Sequence, residues 1–280
     1  MAFVVLNGKL LSDESPLLSV SNRSFRFGDS VFESIHLYKG EILFFEKHIE
    51  RLLHAMNILK MEIPSWFDVA FFHKHISDCL TANGLFSDAK IRLQVWRAGS
   101  GVYSPDEAGV EYLIETQFVT PDLFCNMNNK VVLGLFNEYL KPIHASSTIK
   151  TGNSLLYVLA GLYAKQNGLT DVLVLNQNGT VADSVGANVF YLKNNCWFTT
   201  DDHQAAINGV MQKALIDFFS KQKLEVIKGP IALSELGSAD EIFLCNMVKG
   251  IMPVADFQNK KYLSAVTEKL AADFCNQFNQ

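Results

Sequence analysis

Lys150 closes the polar run Ser147-Thr148-Ile149-Lys150 and is followed by Thr151-Gly152-Asn153-Ser154, small residues that leave room ahead of an apolar stretch. Held against a core with its amine turned into a cavity, such a lysine is desolvated toward its neutral form and can act as a Schiff-base nucleophile. Left in water it is an ordinary solvated lysine. Asp183 lies in Val181-Ala182-Asp183-Ser184-Val185-Gly186-Ala187. A carboxylate among small and apolar residues needs a partner if buried, either a hydrogen bond of the fold or the cation of a cofactor. Arg51 stands at the border of an apolar helix face, from where a guanidinium can reach under the core to offer a bidentate fork to phosphate, or else point to water. Arg97 falls in phase with the alternating Ile91, Leu93 and Val95, as a strand-end residue turned to solvent or as a buried anion receptor. Phe32, Ser34, His36 and Tyr38 share one strand face, mixing aromatic and polar groups as a ligand wall or a half-solvated face does. Tyr103 belongs to the glycine-bearing loop 98–105, the kind of segment that makes substrate contacts. Val210 and Met211 follow Ile207-Asn208-Gly209 at a helix start, where backbone N–H groups can hold an anion.

The elements that must position these groups follow from periodicity and turn residues. Asn7-Gly8 predicts a hairpin over 3–11, and Lys39-Gly40 turns a strand over 31–38 into 41–45. Helical spacing covers 46–59, with Leu52, Ala55, Met56 and Leu59 inward, and a second helix covers 65–81. Strands are expected around 91–97, 112–118 and 131–136. Leu155, Leu156, Val158, Leu159 and Leu162 recur as i, i+3, i+4, i+7, predicting a buried helix that ends at Gly168. An antiparallel meander follows over 171–200, turning at Asn178-Gly179 and Asn194-Asn195. A helix from 207 to about 219, strands over 224–227, 241–246 and 250–254, and helices from Ser234 and Ser264 complete the chain.

The chain has 280 residues, 49% of them hydrophobic, enough for two cores at about 150 residues per domain. The polar, turn-rich segment 121–129 is the expected linker. The net charge of -5 and scattered basic residues argue against nucleic acid as a partner. The N-terminus carries no basic leader, and no window nears ~18 consecutive apolar residues, so a cytoplasmic location and no membrane partner are expected. Five widely spaced cysteines without a CxxC pair predict buried reduced thiols and no metal site. The absence of GxGxxG and GxxxxGKS argues against dinucleotide and P-loop sites.

Taken in order, Phe27-Gly28-Asp29-Ser30-Val31-Phe32-Glu33, His48-Ile49-Glu50-Arg51-Leu52, Ile149-Lys150, Val181-Ala182-Asp183 with Asn188-Val189-Phe190, Asn208-Gly209-Val210-Met211 and Ile251-Met252-Pro253-Val254 resemble the fold-type IV (class IV aminotransferase) enzymes of pyridoxal 5'-phosphate. These include branched-chain and D-amino-acid aminotransferases and 4-amino-4-deoxychorismate lyase. The resemblance implies an α/β (α+β) two-domain fold: a smaller N-terminal α/β domain over 1–120 and a larger C-terminal barrel-like domain over 130–280, with the cofactor between them, in a homodimer. It makes Lys150 the catalytic Schiff-base lysine. Arg51, Val210 and Met211 fall at the cofactor phosphate, Asp183 at the pyridine nitrogen, and Asn246 with the cofactor site. Phe32, His36, Arg97 and Tyr103 are the implied substrate contacts.

Three positions depart from the family pattern. Asp183 stands where a glutamate is usual, and Ser154 near a tyrosine of the branched-chain enzymes. The loop after Arg97 lacks the arginine that precedes Val102-Tyr103-Ser104 in the lyase and the Arg-x-His of the D-amino-acid enzyme. Asn208-Gly209-Val210-Met211 and Leu244-Cys245-Asn246 resemble the lyase more than the aminotransferases. The favoured activity is therefore lysis of 4-amino-4-deoxychorismate to 4-aminobenzoate and pyruvate. The alternatives are transamination of branched-chain or other amino acids with 2-oxoglutarate, and a cofactor-binding protein without turnover.

Overall fold

Two sheets organise the chain. The computed structural model describes residues 2–15, 18–121, 123–126, 128 and 130–278, so 122, 127 and 129 of the expected linker lie outside the described residues. One unit comprises Met1–Pro121 with Ile149–Ser154, the other Asp122–Thr148 with Leu155–Gln280.

In the first unit, β1 (Phe3–Leu6) and β2 (Lys9–Ser12) form a hairpin whose turn residues Asn7 and Gly8 both have positive φ, 49° and 80°. Helix α1 (Arg23–Phe27) is capped by Asn22, whose side chain accepts from the Phe25 N–H. Next come β3 (Ser30–Tyr38), β4 (Glu41–Ile42), α2 (Phe45–Ile58), α3 (Val69–Ala82), β5 (Ala89–Arg97) and β6 (Val110–Phe118). Helix α3 begins four residues later than its apolar spacing suggests, because Asp68 caps it by accepting from the Phe71 N–H. The sheet order is β2-β1-β6-β5-β3-β4, antiparallel throughout. Ile35, Ile91, Leu93 and Ile114 of the strands share a core with Leu52, Met56, Phe72 and Ile76 of α2 and α3. Strand β3 lies inside the sheet, so its mixed face is not that of an edge strand.

The segment carrying Lys150 belongs to this unit. Phe32 donates its N–H to the Lys150 carbonyl at 3.0 Å, Gly152 donates to the Ser30 carbonyl at 2.8 Å, and Val31 pairs with Thr151. Residue 152 must be glycine for this approach, since a Cβ there would run into the Ser30 hydroxyl.

The second unit contains β7 (Val131–Lys141), α4 (Leu155–Gln166), β8 (Asp171–Asn176), β9 (Val181–Ser184), β10 (Asn188–Lys193), β11 (Cys196–Thr200), α5 (Val210–Lys221), β12 (Val226–Gly229), α6 (Leu233–Gly237), β13 (Glu241–Asn246), β14 (Gly250–Phe257), β15 (Lys260–Lys261) and α7 (Ala265–Cys275). Its order is β12-β11-β10-β13-β14-β7-β8-β9, with β15 on β14, and the sheet curls into a half-barrel. The β11/β12, β14/β7 and β7/β8 pairs are parallel.

Two expectations are corrected here. Helix α4 is not buried all round. Ala160 and Ala164 let it close on Phe136, Val172 and Val174, while Leu155, Val158 and Leu162 are 65%, 54% and 50% exposed. The cysteines are not all reduced: Cys125 and Cys275 form a disulfide across 150 residues, leaving Cys79, Cys196 and Cys245 as thiols. Spacing along the chain gave no sign of this pair because the fold, not the sequence interval, brings the two Cα atoms to 6.1 Å. Among the described residues, no helix is long and apolar enough to cross a membrane, and no group of three or more His, Cys, Asp or Glu gathers as a metal site.

Candidate active site

In the first unit, Phe32 leaves the core face of β3 and its ring meets two cations. The Lys150 Nζ lies 4.2 Å from the ring centroid and the Arg92 guanidinium carbon 4.0 Å. Arg92 comes from β5, where it pairs in register with Ser34, and it is oriented by Gln94, whose Oε1 accepts from Arg92 Nε at 3.1 Å and Nη2 at 2.7 Å. Its ion pair with Glu115 is long, 3.8 Å, and its side chain is 34% exposed. The sequence reading passed over Arg92 because alternation alone assigns it to the outward face.

On the opposite face of β3, Glu33 is 1% exposed and binds two residues of α2. Arg51 donates Nε to Glu33 Oε1 at 2.8 Å and Nη2 to Oε2, and the His48 Nδ1–H donates to Oε2 at 2.6 Å. Arg51 is thus buried and ion-paired rather than on the helix border. Burial would raise the Glu33 carboxyl, but the Arg51 guanidinium and the His48 imidazole outweigh it and hold it at about 2. Burial pushes His48 down, against the pull of Glu33. A neutral imidazole that donates from Nδ1 leaves Nε2 as a bare acceptor, and Nε2 is indeed buried without a partner among the described residues.

Arg97 is an anion receptor, and its anion is the protein's own Asp29. Nε donates to Asp29 Oδ2 at 3.0 Å, Nη1 to the Lys60 carbonyl at 3.0 Å, and Nη2 to the Leu59 carbonyl at 2.6 Å. Arg23, not foreseen, binds the same carboxylate at 2.9 Å and holds the following loop through the Ser100 and Val102 carbonyls at 3.0 and 2.8 Å. Tyr103 on that loop is 89% exposed, with Phe27 as its ring neighbour at 5.8 Å. His36 is buried, edge-on to Tyr38. The structure therefore brings Phe32, Arg92 and Lys150 together, and gives Arg97 and Arg51 carboxylate partners within the fold.

In the second unit, Asp183 is 3% exposed on β9. Its Oδ2 accepts from Tyr157 Oη at 2.8 Å, Lys141 Nζ at 3.1 Å and the Ile207 N–H at 3.1 Å. Its Oδ1 is buried with no partner among the described residues. Nearby in sequence, Gly209 caps α5 without a side chain, so the first-turn N–H groups of Val210 and Met211 lack a side-chain acceptor. A Cβ at 209 would collide with Asn188 Oδ1, whose amide nitrogen donates to the Ile207 carbonyl at 2.8 Å. The glycine thus lets the approach to α5 pack on β10. Asn246 has a structural employment: it donates to the Gly186 carbonyl at 3.1 Å and accepts from the Val248 and Lys249 N–H groups at 2.9 and 2.8 Å.

Comparison with known proteins places the chain in a family. Residues 30–257 match the model of the amino-transferase class IV family. A putative branched-chain-amino-acid aminotransferase of Methanocaldococcus jannaschii is 27% identical over 97% of this chain and 94% of its own. An aminodeoxychorismate lyase of Vibrio harveyi is 27% identical over 84% of this chain and 86% of its own. In fold, the branched-chain amino acid aminotransferase of Thermobaculum terrenum, solved in its PLP form, superposes with a TM-score of 0.86 at 21% identity, covering 98% of this chain and 93% of that one. The chain belongs to the class IV aminotransferase family of pyridoxal 5'-phosphate-dependent enzymes.

Proposed function

We propose that the chain is an amino-acid aminotransferase of the branched-chain type, with 2-oxoglutarate as amino acceptor. The supporting observation is the Methanocaldococcus relative, aligned over nearly all of both chains, where the lyase relative leaves a larger share of this chain unmatched. Preference for the lyase on sequence grounds gives way to this. The lyase is kept as the second reading because of Asn208-Gly209-Val210-Met211.

The residues present fit pyridoxal phosphate. Asp183 Oδ1 is an orphaned buried acceptor suited to the ring N–H. The first turn of α5 offers Val210 and Met211 amides to the phosphate, and Arg51, a guanidinium oriented by Glu33, is our candidate for a further phosphate contact. Bound pyridoxal phosphate supplies an electron sink for negative charge on the amine-bearing carbon. Lys150 Nζ is the amine that would hold the cofactor, and as a free amine it would move the proton to and from that carbon. Phe32 packs against Lys150 and limits where its amine can reach. Arg92, on the other side of Phe32, is the side chain assigned to a substrate carboxylate, and Arg97 to tying strand β5 to Asp29. Leu155, Val158 and Leu162 on the open face of α4 support a homodimer in which they are covered.

The test is a parallel assay. Branched-chain L-amino acids and D-alanine are offered with 2-oxoglutarate, and 4-amino-4-deoxychorismate is offered alone. Glutamate formation from the L-amino acids is expected. Equimolar 4-aminobenzoate and pyruvate without glutamate would install the lyase instead.

A further inference from the structure

We infer that Lys141 and Tyr157 are positioning residues for Asp183, fixing its side chain so that Oδ1 is presented to the ring nitrogen of the cofactor. The inference rests on the cofactor reading above and extends it to two side chains that reading does not use.

The geometry divides the two carboxylate oxygens sharply. Oδ2 receives three donors, from Tyr157, Lys141 and the Ile207 backbone, whereas Oδ1 receives none although it is buried. Three donors on one oxygen leave the carboxylate a single orientation. An aspartate is one methylene shorter than glutamate and has less reach to correct its aim, so its orientation must be supplied from outside. The donors come from three different elements, the end of β7, α4 and the approach to α5, which pins the carboxylate against rotation about χ1 and χ2 alike.

Charge points the same way. Lys141 and Asp183 have side chains only 8% and 4% exposed. Either one alone would be an uncompensated buried charge, and together they are neutral. Tyr157 lies between them, accepting from Lys141 Nζ and donating to Asp183 Oδ2. Burial and the Asp183 charge push the Tyr157 hydroxyl well above its ordinary range, so it stays a donor at working pH. Asp183 Oδ1 is therefore held as a fixed acceptor before any cofactor arrives.

The test compares binding of pyridoxal 5'-phosphate with binding of its 1-deaza analogue, in which a C–H replaces the ring nitrogen. Both can be trapped on Lys150 by borohydride, but only the first can use Oδ1. In Lys141→Met the affinity of the apoprotein for pyridoxal phosphate should fall by about tenfold, the scale of one oriented hydrogen bond to a charged group, with the deaza analogue changed by less than about twofold. Lys141→Arg should restore the cofactor to within about threefold of wild type. Should Lys141→Met not fold, Tyr157→Phe keeps the ring volume and should show the same selective loss. Equal losses for both compounds, or no loss for either, would overturn the inference and leave the cofactor reading intact. If wild-type Lys150 is labelled by neither compound, the cofactor reading falls, and this inference with it.

Discussion

A lone glutamate on the apolar side of β3 is the residue around which the buried polar cluster of the first unit is built. Val31, Ile35 and Leu37 line that side with Glu33 among them, so the carboxylate had to find partners. His48 and Arg51, three apart on α2, face it together. The pH dependence follows with a definite sign. The unfolded His48 takes up a proton near 6.5, which the folded ring resists because its site is buried, so stability is lost as the pH falls below 6.5. A second loss begins near 4.5, where the unfolded Glu33 protonates, and continues until the folded carboxyl is itself protonated at about 2. Denaturant unfolding at pH 7, 5.5 and 4 should show His48→Gln losing less stability than wild type between the first two points. Equal slopes would mean that His48 does not remain neutral in the fold. The H-x-x-R spacing and the intruding Glu33 were both visible in the sequence. Their connection was not, because strand and helix positions 15 and 18 residues apart meet only through tertiary packing.

At the scale of elements, α4 and β7 mark the limits of periodicity. Helical spacing predicts that the leucines and valine of α4 are buried, yet of these only Leu156 and Leu159 pack on the core beside Ala160 and Ala164, while the residues at 155, 158 and 162 turn outward. Periodicity gives the stripe but not which stripe faces the core when a second apolar surface exists to be covered. Strand β7 was expected to stop at Phe136 and runs on to Lys141, past an irregularity in its pairing with β8 that broke the alternation. That extension is why Lys141 escaped notice. The burial of Asp183 and the glycine at the start of α5 were legible, since each departs from its local pattern, and the structure gives the carboxylate its partners within the fold. The exposed stripe carries its own test. On the proposed homodimer, Val158→Glu with Leu162→Glu should give a monomer by light scattering while leaving the far-ultraviolet circular dichroism unchanged, because neither residue is needed by the core. A dimer that persists would place the contact elsewhere.

At the scale of the whole molecule, the disulfide joins the segment at Cys125 to the end of α7 and encloses most of the second unit's sequence. A bridge closing so long a loop limits the unfolded chain, by roughly 5 kcal/mol in the chain-entropy picture. Cys125→Ser with Cys275→Ser, or reduction of the wild type, should lower Tm by several degrees, and Tm measured with and without reductant checks it. The two units are also interleaved in sequence: the stretch Ile149–Ser154 pairs with β3 although 27 residues of the other unit, Asp122–Thr148, precede it. During synthesis the first 121 residues leave the ribosome with the Phe32 N–H and the Ser30 carbonyl still awaiting Lys150 and Gly152. The first unit is complete only when residue 154 has emerged, so its folding cannot finish ahead of the chain that carries the lysine, and a fragment ending at Pro121 keeps all six strands of its sheet but lacks the segment bonded to Ser30, Val31 and Phe32.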